Sequence, residues 1–145
     1  MSLFEIKSEL TELANKLFMY TDSRDWQKLL DEVFTEYVDF NMSSAGGGTP
    51  QQLKAPEICK TWKLGFHDID IVHHQAGHYV ITVNESIADI YAYAVATHYK
   101  KAATMGLTRS FTGSYNLQAT LTEQGWRISA FKYNLKYIEG NIGLE

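Results

Sequence analysis

The sequence predicts an α+β fold, with helices packed on a mostly antiparallel sheet, and three observations carry that prediction. In the first third of the 145-residue chain, apolar residues recur at spacings of three and four, the signature of one helical face. The remainder is rich in β-formers, and one run in it alternates small apolar residues with larger or polar ones. Short turn segments separate those later runs, and short links join antiparallel neighbours. Helices first and a long-stranded antiparallel sheet after them is an α+β order.

Each element follows from local chemistry. Ile6, Leu10, Leu13, Ala14, Leu17 and Phe18 form the apolar stripe of a first helix, and Ser2 with Glu5 has capping-box spacing at its start. A break at Thr21-Asp22-Ser23 precedes a second stripe, Trp26, Leu29, Leu30, Val33 and Phe34, for which Asp22 or Ser23 is the expected N-cap. Tyr37 to Asn41 reads as a short strand and Ser43 to Gly48 as a loop. Thr49-Pro50-Gln51-Gln52 supplies a cap, a proline at the first helical position and a glutamine three residues on, which predicts a third helix ending around Trp62 to Gly65. Strands are expected over 69–75, 78–83, 86–100, 108–122 and 126–136, separated by Gly77, Asn84-Glu85, Met105-Gly106 and Gln124-Gly125. Within 86–100, alternation places Ala88, Ile90, Ala92, Ala94, Ala96 and His98 on one face and Asp89, Tyr91, Tyr93, Val95, Thr97 and Tyr99 on the other. A face of small side chains ending in one histidine admits either a packed helix or a ligand close against the sheet. No repeat, low-complexity segment or boundary interrupts the chain, so residues 1–145 are expected to form one domain.

Composition removes several functions. Net charge is −4 and the nearest approach to a basic cluster is Lys100-Lys101, too little to neutralise a nucleic-acid backbone. No apolar run approaches the roughly 18 residues of a membrane span. The segment Met1 to Glu5 has neither a basic nor an apolar stretch of a secretory signal, and Cys59 stands alone; both point to a reducing, cytoplasmic setting. Aromatic residues reach 13%, which suits pockets and interfaces as well as cores.

Titratable residues narrow the chemistry. His67, His73, His74 and His78 crowd together, yet His73 and His74 point to opposite faces of a strand, and no carboxylate or cysteine completes a ligand set. Neither a metal nor a cofactor is expected. Asp22, His74 and His98 form a more informative set. If the helices cover the inner sheet face, a carboxylate and two imidazoles meet in one apolar cavity, where a carboxylate fixes a tautomer and poises the other ring nitrogen for proton transfer. The same pattern is also satisfied by Asp22 merely capping a helix beside two core histidines.

Tyr20-Thr21-Asp22-Ser23-Arg24-Asp25-Trp26, Val38-Asp39-Phe40, His74, Ala96-Thr97-His98 and Gly125-Trp126-Arg127-Ile128 together resemble the SnoaL-like branch of the nuclear transport factor 2-like superfamily, nearest to the scytalone dehydratases. The likeness runs from about Leu10 to Lys136. It implies three helices on a strongly curved, mostly antiparallel mixed sheet that forms a cone with an internal pocket. Carried over by position, Asp22 and His98 match the paired acid and imidazole, and His74 the second catalytic histidine. With a one-residue adjustment in the next hairpin, Ser114-Tyr115-Asn116-Leu117 resembles the segment whose serine and asparagine orient that histidine and the substrate. Tyr20 and Phe40 join Ser114 and Asn116 as expected substrate contacts. The family's two tyrosines, which hold a water against the substrate carbonyl, are here Thr21 and Phe40. Tyr20, Tyr93 or Tyr115 is the expected replacement.

The resemblance implies a lyase, dehydratase or isomerase that moves a proton beside a carbonyl of a small hydrophobic or aromatic molecule. The alternative is a non-catalytic binding domain, with Phe40, Phe66, Tyr93 and Tyr115 as walls. A hydrolase using Asp-Arg-Asp ranks third, because Arg24 and Arg109 fall near element ends and no arginine is expected inside the pocket. Tyr91, Val95, Tyr99, Phe111 and Phe131 are expected on the outer sheet face, where they predict a homodimer or homotrimer.

Overall fold

Twenty residues of amphipathic helix open the chain. In a computed structural model, which describes residues 1–145, helix α1 spans Leu3–Asp22. Its start is the capping box read from the sequence: Glu5 N–H donates to Ser2 Oγ (3.2 Å) and Ser2 N–H donates to the Glu5 carboxylate (2.9 Å). Leu10, Leu13, Ala14, Leu17, Phe18 and Thr21 form its buried face. Asp22 belongs to the last turn of α1 and caps nothing. Asp25 caps the next helix instead, accepting from Lys28 N–H at 3.2 Å, because Arg24 takes a left-handed conformation (φ 57°) that re-aims the chain by two residues. The second helix, α2 (Trp26–Lys28), widens at once into a π-turn over Leu29–Val33. The Phe34 N–H reaches back five residues to Leu29 O, so the chain passes directly into strand β1, Phe34–Asn41.

Ser43–Ala45 forms one 3₁₀ turn, and then the sequence expectation fails. Gln51–Lys54 is a strand, β2, antiparallel to β1 with Tyr37 opposite Lys54; α3 begins only at Ala55 and ends at Gly65. The start signal was displaced rather than absent. Pro56 lies in the first turn of α3 and Glu57 accepts from Lys54 N–H at 3.3 Å, while Gln51–Lys54 satisfies the otherwise open edge of β1. Four long strands follow: β3 (Ile71–Asn84), β4 (Ile87–Tyr99), β5 (Thr108–Thr122) and β6 (Gly125–Gly140). The two strands expected over 69–75 and 78–83 are one. His78 adopts φ 55° in a bulge between Gly77 and Val80, so β3 carries on past the glycine with its inward parity switched from even to odd residues.

The sheet order is β2-β1-β6-β5-β4-β3, with β1 and β6 parallel and every other pair antiparallel. Two further register shifts give β6 an extra residue opposite β5, at Ser129 and at Lys136. Each bulge adds bend and twist, and the sheet curls around the helices into an open cone. The inner face of β4 is as read from alternation: Ala88, Ile90, Ala92, Ala94, Ala96 and His98 are all buried. Leu10, Leu17, Ile58, Ile90 and Ile128 lie at the centre of the core, each burying enough apolar area to contribute roughly 1.5–3 kcal/mol. Phe131, expected on the outer face, is buried, and Phe111 turns inward to the cavity; the bulge at Ser129 sets the first and the hairpin register of β4 and β5 the second. No helix is long and apolar enough to cross a membrane.

Candidate active site

The end of α1 delivers Asp22 to β3, which runs alongside that helix. Asp22 grips His74 twice: the His74 backbone N–H donates to Oδ2 (2.9 Å) and the ring Nδ1 lies 2.6 Å from Oδ1. A carboxylate accepts, so Nδ1 carries the proton and the lone pair of neutral His74 sits on Nε2. The His74 ring packs on Phe18, with centroids 5.4 Å apart, and its side chain is 11% exposed. His73, on the opposite face, is exposed and only 4.0 Å from the same carboxylate at its Nδ1.

His98 has the opposite kind of partner. Its Nδ1 accepts from Arg109 Nε at 3.1 Å, directly across the β4–β5 ladder. Phe66 and Phe111 flank the ring, at centroid distances of 5.5 and 5.2 Å. Burial, reinforced by the Arg109 charge and by His74 and partly offset by Asp22, lowers the His98 pKa from 6.5 to about 4. Arg109 donates in turn through Nη1 to Ile142 O (2.8 Å), so it is anchored at both ends.

Between and beyond these groups lies a cavity of about 340 Å³, at the lower end of small-molecule sites. Its walls come from α1 (Leu17, Phe18, Thr21), α3 (Trp62, Gly65, Phe66), the turn after β1 (Met42, Ala45) and strands β3 to β6. His74, Ala96, His98 and Arg109 stand toward one end, and Phe131, Tyr115 and Tyr133 toward the other. Tyr115 and Tyr133 pack at 4.8 Å, and the Tyr133 hydroxyl is buried with no hydrogen-bond partner. It lies over Gly113, where an added Cβ would stand 2.7 Å from that oxygen and closer still to Asn134 O. Burial pushes the Tyr133 phenol up to about 12 and raises Tyr115 further, so both remain O–H donors.

Several sequence expectations are corrected here. Asp22 pairs with His74 and His98 with Arg109; the expected Asp22–His98 hydrogen bond is not formed, because His74 lies beside the α1 terminus and takes the carboxylate. Arg109, thought too near an element end, lines the cavity. Tyr20 points away from the cavity and donates to the Glu32 carboxylate at 3.3 Å; Thr21, one residue on, faces inward but spends its hydroxyl on Leu17 O (2.6 Å). Phe40 is buried behind the wall, against Trp62 and Phe131. Ser114 and Asn116 do share a face, but it is the outer one, where both accept from Asn134 Nδ2 (3.2 and 2.8 Å); Gly113, Tyr115 and Leu117 take the inner positions. Tyr93 also lies outside, against Lys136. Of the residues expected at the site, Asp22, His74, His98 and Tyr115 are brought together. Arg109 could have been found by counting register outward from the loop between residues 100 and 107, which sets 98 opposite 109. Tyr133 could not, since the bulge at Ser129 inverts the parity read from Trp126 and Ile128.

Comparison with known proteins follows the same lines. A family model described as a SnoaL-like domain matches residues 4–132. None of the curated proteins matches the chain. Among solved structures it is similar to Kfla4162 from Kribbella flavida, 25% identical, with a TM-score of 0.93 over 99% of this chain and 98% of that one. A provisionally assigned scytalone dehydratase from Novosphingobium aromaticivorans DSM 12444 has a TM-score of 0.79 at 13% identity, covering 94% and 87%. The hexachlorocyclohexane dehydrochlorinase LinA-type3 from Novosphingobium barchaimii LL02 has a TM-score of 0.73 at 11% identity, covering 92% and 88%. The last two likenesses are of fold alone.

Proposed function

The chain belongs to the SnoaL-like domain family, and from that premise we propose that it is a cofactor-independent lyase or isomerase moving a proton beside a carbonyl. The substrate would be a small hydrophobic or aromatic molecule. One observation carries this reading: Asp22 holds His74 by backbone and ring together, leaving Nε2 unpartnered at the wall of an apolar cavity. A carboxylate-oriented imidazole in a dry chamber is a general base near neutral pH.

In this reading Nε2 of His74 takes a proton from the carbon next to the carbonyl. The C–H electron pair moves into a carbon–carbon double bond and the carbonyl π pair onto oxygen, giving an enolate. Asp22 stabilises the imidazolium that forms. Collapse of the enolate then expels a β-substituent, which takes up the proton held on His74 Nε2, or, where a second carbon–carbon double bond is conjugated with the enolate, moves that bond as the same proton is returned to its far carbon. The first outcome is a lyase reaction and the second an isomerisation. The scytalone dehydratase and dehydrochlorinase among the similar structures are named for eliminations.

The test is hydrogen exchange in D₂O, followed by NMR, on a panel of aryl ketones and β-hydroxy aryl ketones. The parent protein is expected to label the α-carbon of its preferred members. His74→Ala and Asp22→Asn are expected to lower the rate about 10²- to 10⁴-fold while leaving the fold intact. Ketones that bind without exchanging, in parent and variants alike, would overturn the catalytic reading and leave a pocket that only holds its ligand.

A further inference from the structure

The two histidines of the cavity are partnered by opposite charges, and this fixes more than their orientation. Arginine has no acceptor and stays protonated, so the Arg109 Nε–H can only donate to His98 Nδ1. Nδ1 of His98 must then be the bare nitrogen. Its single proton lies on Nε2, which has no partner within the chain, on a ring that lines the cavity. His74 is the reverse, with its proton on Nδ1 toward Asp22 and its lone pair free on Nε2.

We propose that Arg109 is a positioning residue that locks His98 as a neutral Nε2–H donor, and that His98 binds the substrate oxygen on which negative charge develops. The proposal rests on the proton-transfer reading above and names the half of the site that the reading left open. The family resemblance places that task on two tyrosines at positions held here by Thr21 and Phe40. Thr21 has committed its hydroxyl to Leu17 O, and Phe40 has none to offer.

Geometry supports the pairing of roles. His74 lies opposite Ala96 and His98 opposite Val72 in the β3–β4 ladder, so the two imidazoles are diagonal neighbours on the inner face. The backbones of such neighbours are about 7–8 Å apart and their side chains somewhat closer. Two side chains on one face at that spacing can meet the two ends of one H–C–C=O unit, the carbon hydrogen on His74 and the oxygen on His98. The charge logic agrees. Arg109 and His74 face His98 from β5 and β3, and both oppose its protonation; Asp22, from α1, favours it but is committed to His74. A ring kept neutral gives its one N–H as a hydrogen bond and, unlike an imidazolium, does not pass a proton to the enolate. Arg109 behind it would strengthen that bond as the oxygen turns negative. The substrate class is therefore a ketone or aldehyde whose enolate carries one oxygen at this end. A carboxylate would set two oxygens against a single N–H.

Long-range ¹H–¹⁵N correlation on imidazole-labelled protein reads the tautomers directly, without substrate or turnover. The expected spectrum shows His98 with a bare Nδ1 and a protonated Nε2 throughout pH 5 to 8, and the neutral form of His74 with the reverse. A protonated Nδ1 on His98, or a cationic His98 at pH 6, overturns the proposal in the parent protein alone, whatever any variant does. In Arg109→Leu the His98 signals are expected to average between both tautomers. Binding of 2-naphthol, a flat mimic of an enol, is expected to weaken about tenfold while naphthalene binding holds, since the Nε2–H is no longer held toward the oxygen and apolar contact is kept. Equal loss for both probes would assign Arg109 a purely structural role and sink the proposal. Asp22→Asn separates the two readings: it is expected to stop proton exchange and to leave the His98 tautomer unchanged.

Discussion

The cavity has two ends built on different terms. Around β3 and β4 it is polar, and every group that matters is held by a partner of known charge: Asp22 on His74, Arg109 on His98. Around β5 and β6 it is aromatic, with Tyr115, Phe131 and Tyr133 packed ring on ring and the Tyr133 hydroxyl left without a partner. The first end specifies protonation states; the second specifies shape. Identical side chains present opposite nitrogens to the cavity at the polar end, because an imidazole's tautomer is set by what its other nitrogen meets. At the aromatic end, position in the sheet decides everything and charge decides nothing.

Substitution at the aromatic end gives the largest expected change in stability. Gly113→Ala drives a methyl against the backbone carbonyl of Asn134, which cannot yield, and against the Tyr133 ring. Overpacking of this kind costs about 1–3 kcal/mol, visible as a lower urea midpoint, and should narrow the cavity enough to weaken binding of aromatic probes. An unchanged midpoint would mean that the β5–β6 ladder is looser than the contacts around Gly113 require.

At the polar end the expected effect is a dependence on pH. The folded His98 pKa of about 4 lies below the ordinary 6.5, so the unfolded chain binds the extra proton first. The resulting stability is fully present above pH 6.5 and is lost as pH falls through the window from 6.5 to about 4. Relative to His98→Gln, which keeps an acceptor for Arg109, the parent should lose about 2 kcal/mol more between pH 7 and pH 5. Parallel stability curves for parent and variant would show that His98 is not desolvated in the way its burial indicates.

The smallest effects belong outside both ends. Asn116→Ala and Ser114→Ala remove outer-face hydrogen bonds to Asn134 and should change stability by less than about 1 kcal/mol and proton exchange not at all. A large loss of exchange in either would return these residues to the site and erase the division between the two faces.

The same division explains what was legible in the sequence. The first helix, its cap, and the inward march of Ala88 to His98 follow from local spacing and needed no tertiary information. His74 and His98 shared a predicted face because β3 and β4 are regular where they carry them. Pairing was not legible: whether Asp22 meets His74 or His98 depends on where α1 ends relative to β3. Ser114 and Asn116 kept their common parity and lost their expected side, since Tyr115, Leu117 and Ala119 bury more apolar surface and claim the interior. β2 was hidden because three exposed polar residues around a half-buried Leu53 become a strand only when a neighbouring edge is available to pair with.

The extra residue at Ser129 has a consequence for how such a chamber changes over generations. The sidedness of β6 from Ala130 to Leu135 is set by that one insertion. Were the same residues paired without that bulge, Lys132 and Asn134 would face the cavity and Phe131 and Tyr133 the solvent. The lining of this end can therefore be exchanged wholesale by a shift in reading position along the strand, with no point replacement in any wall residue.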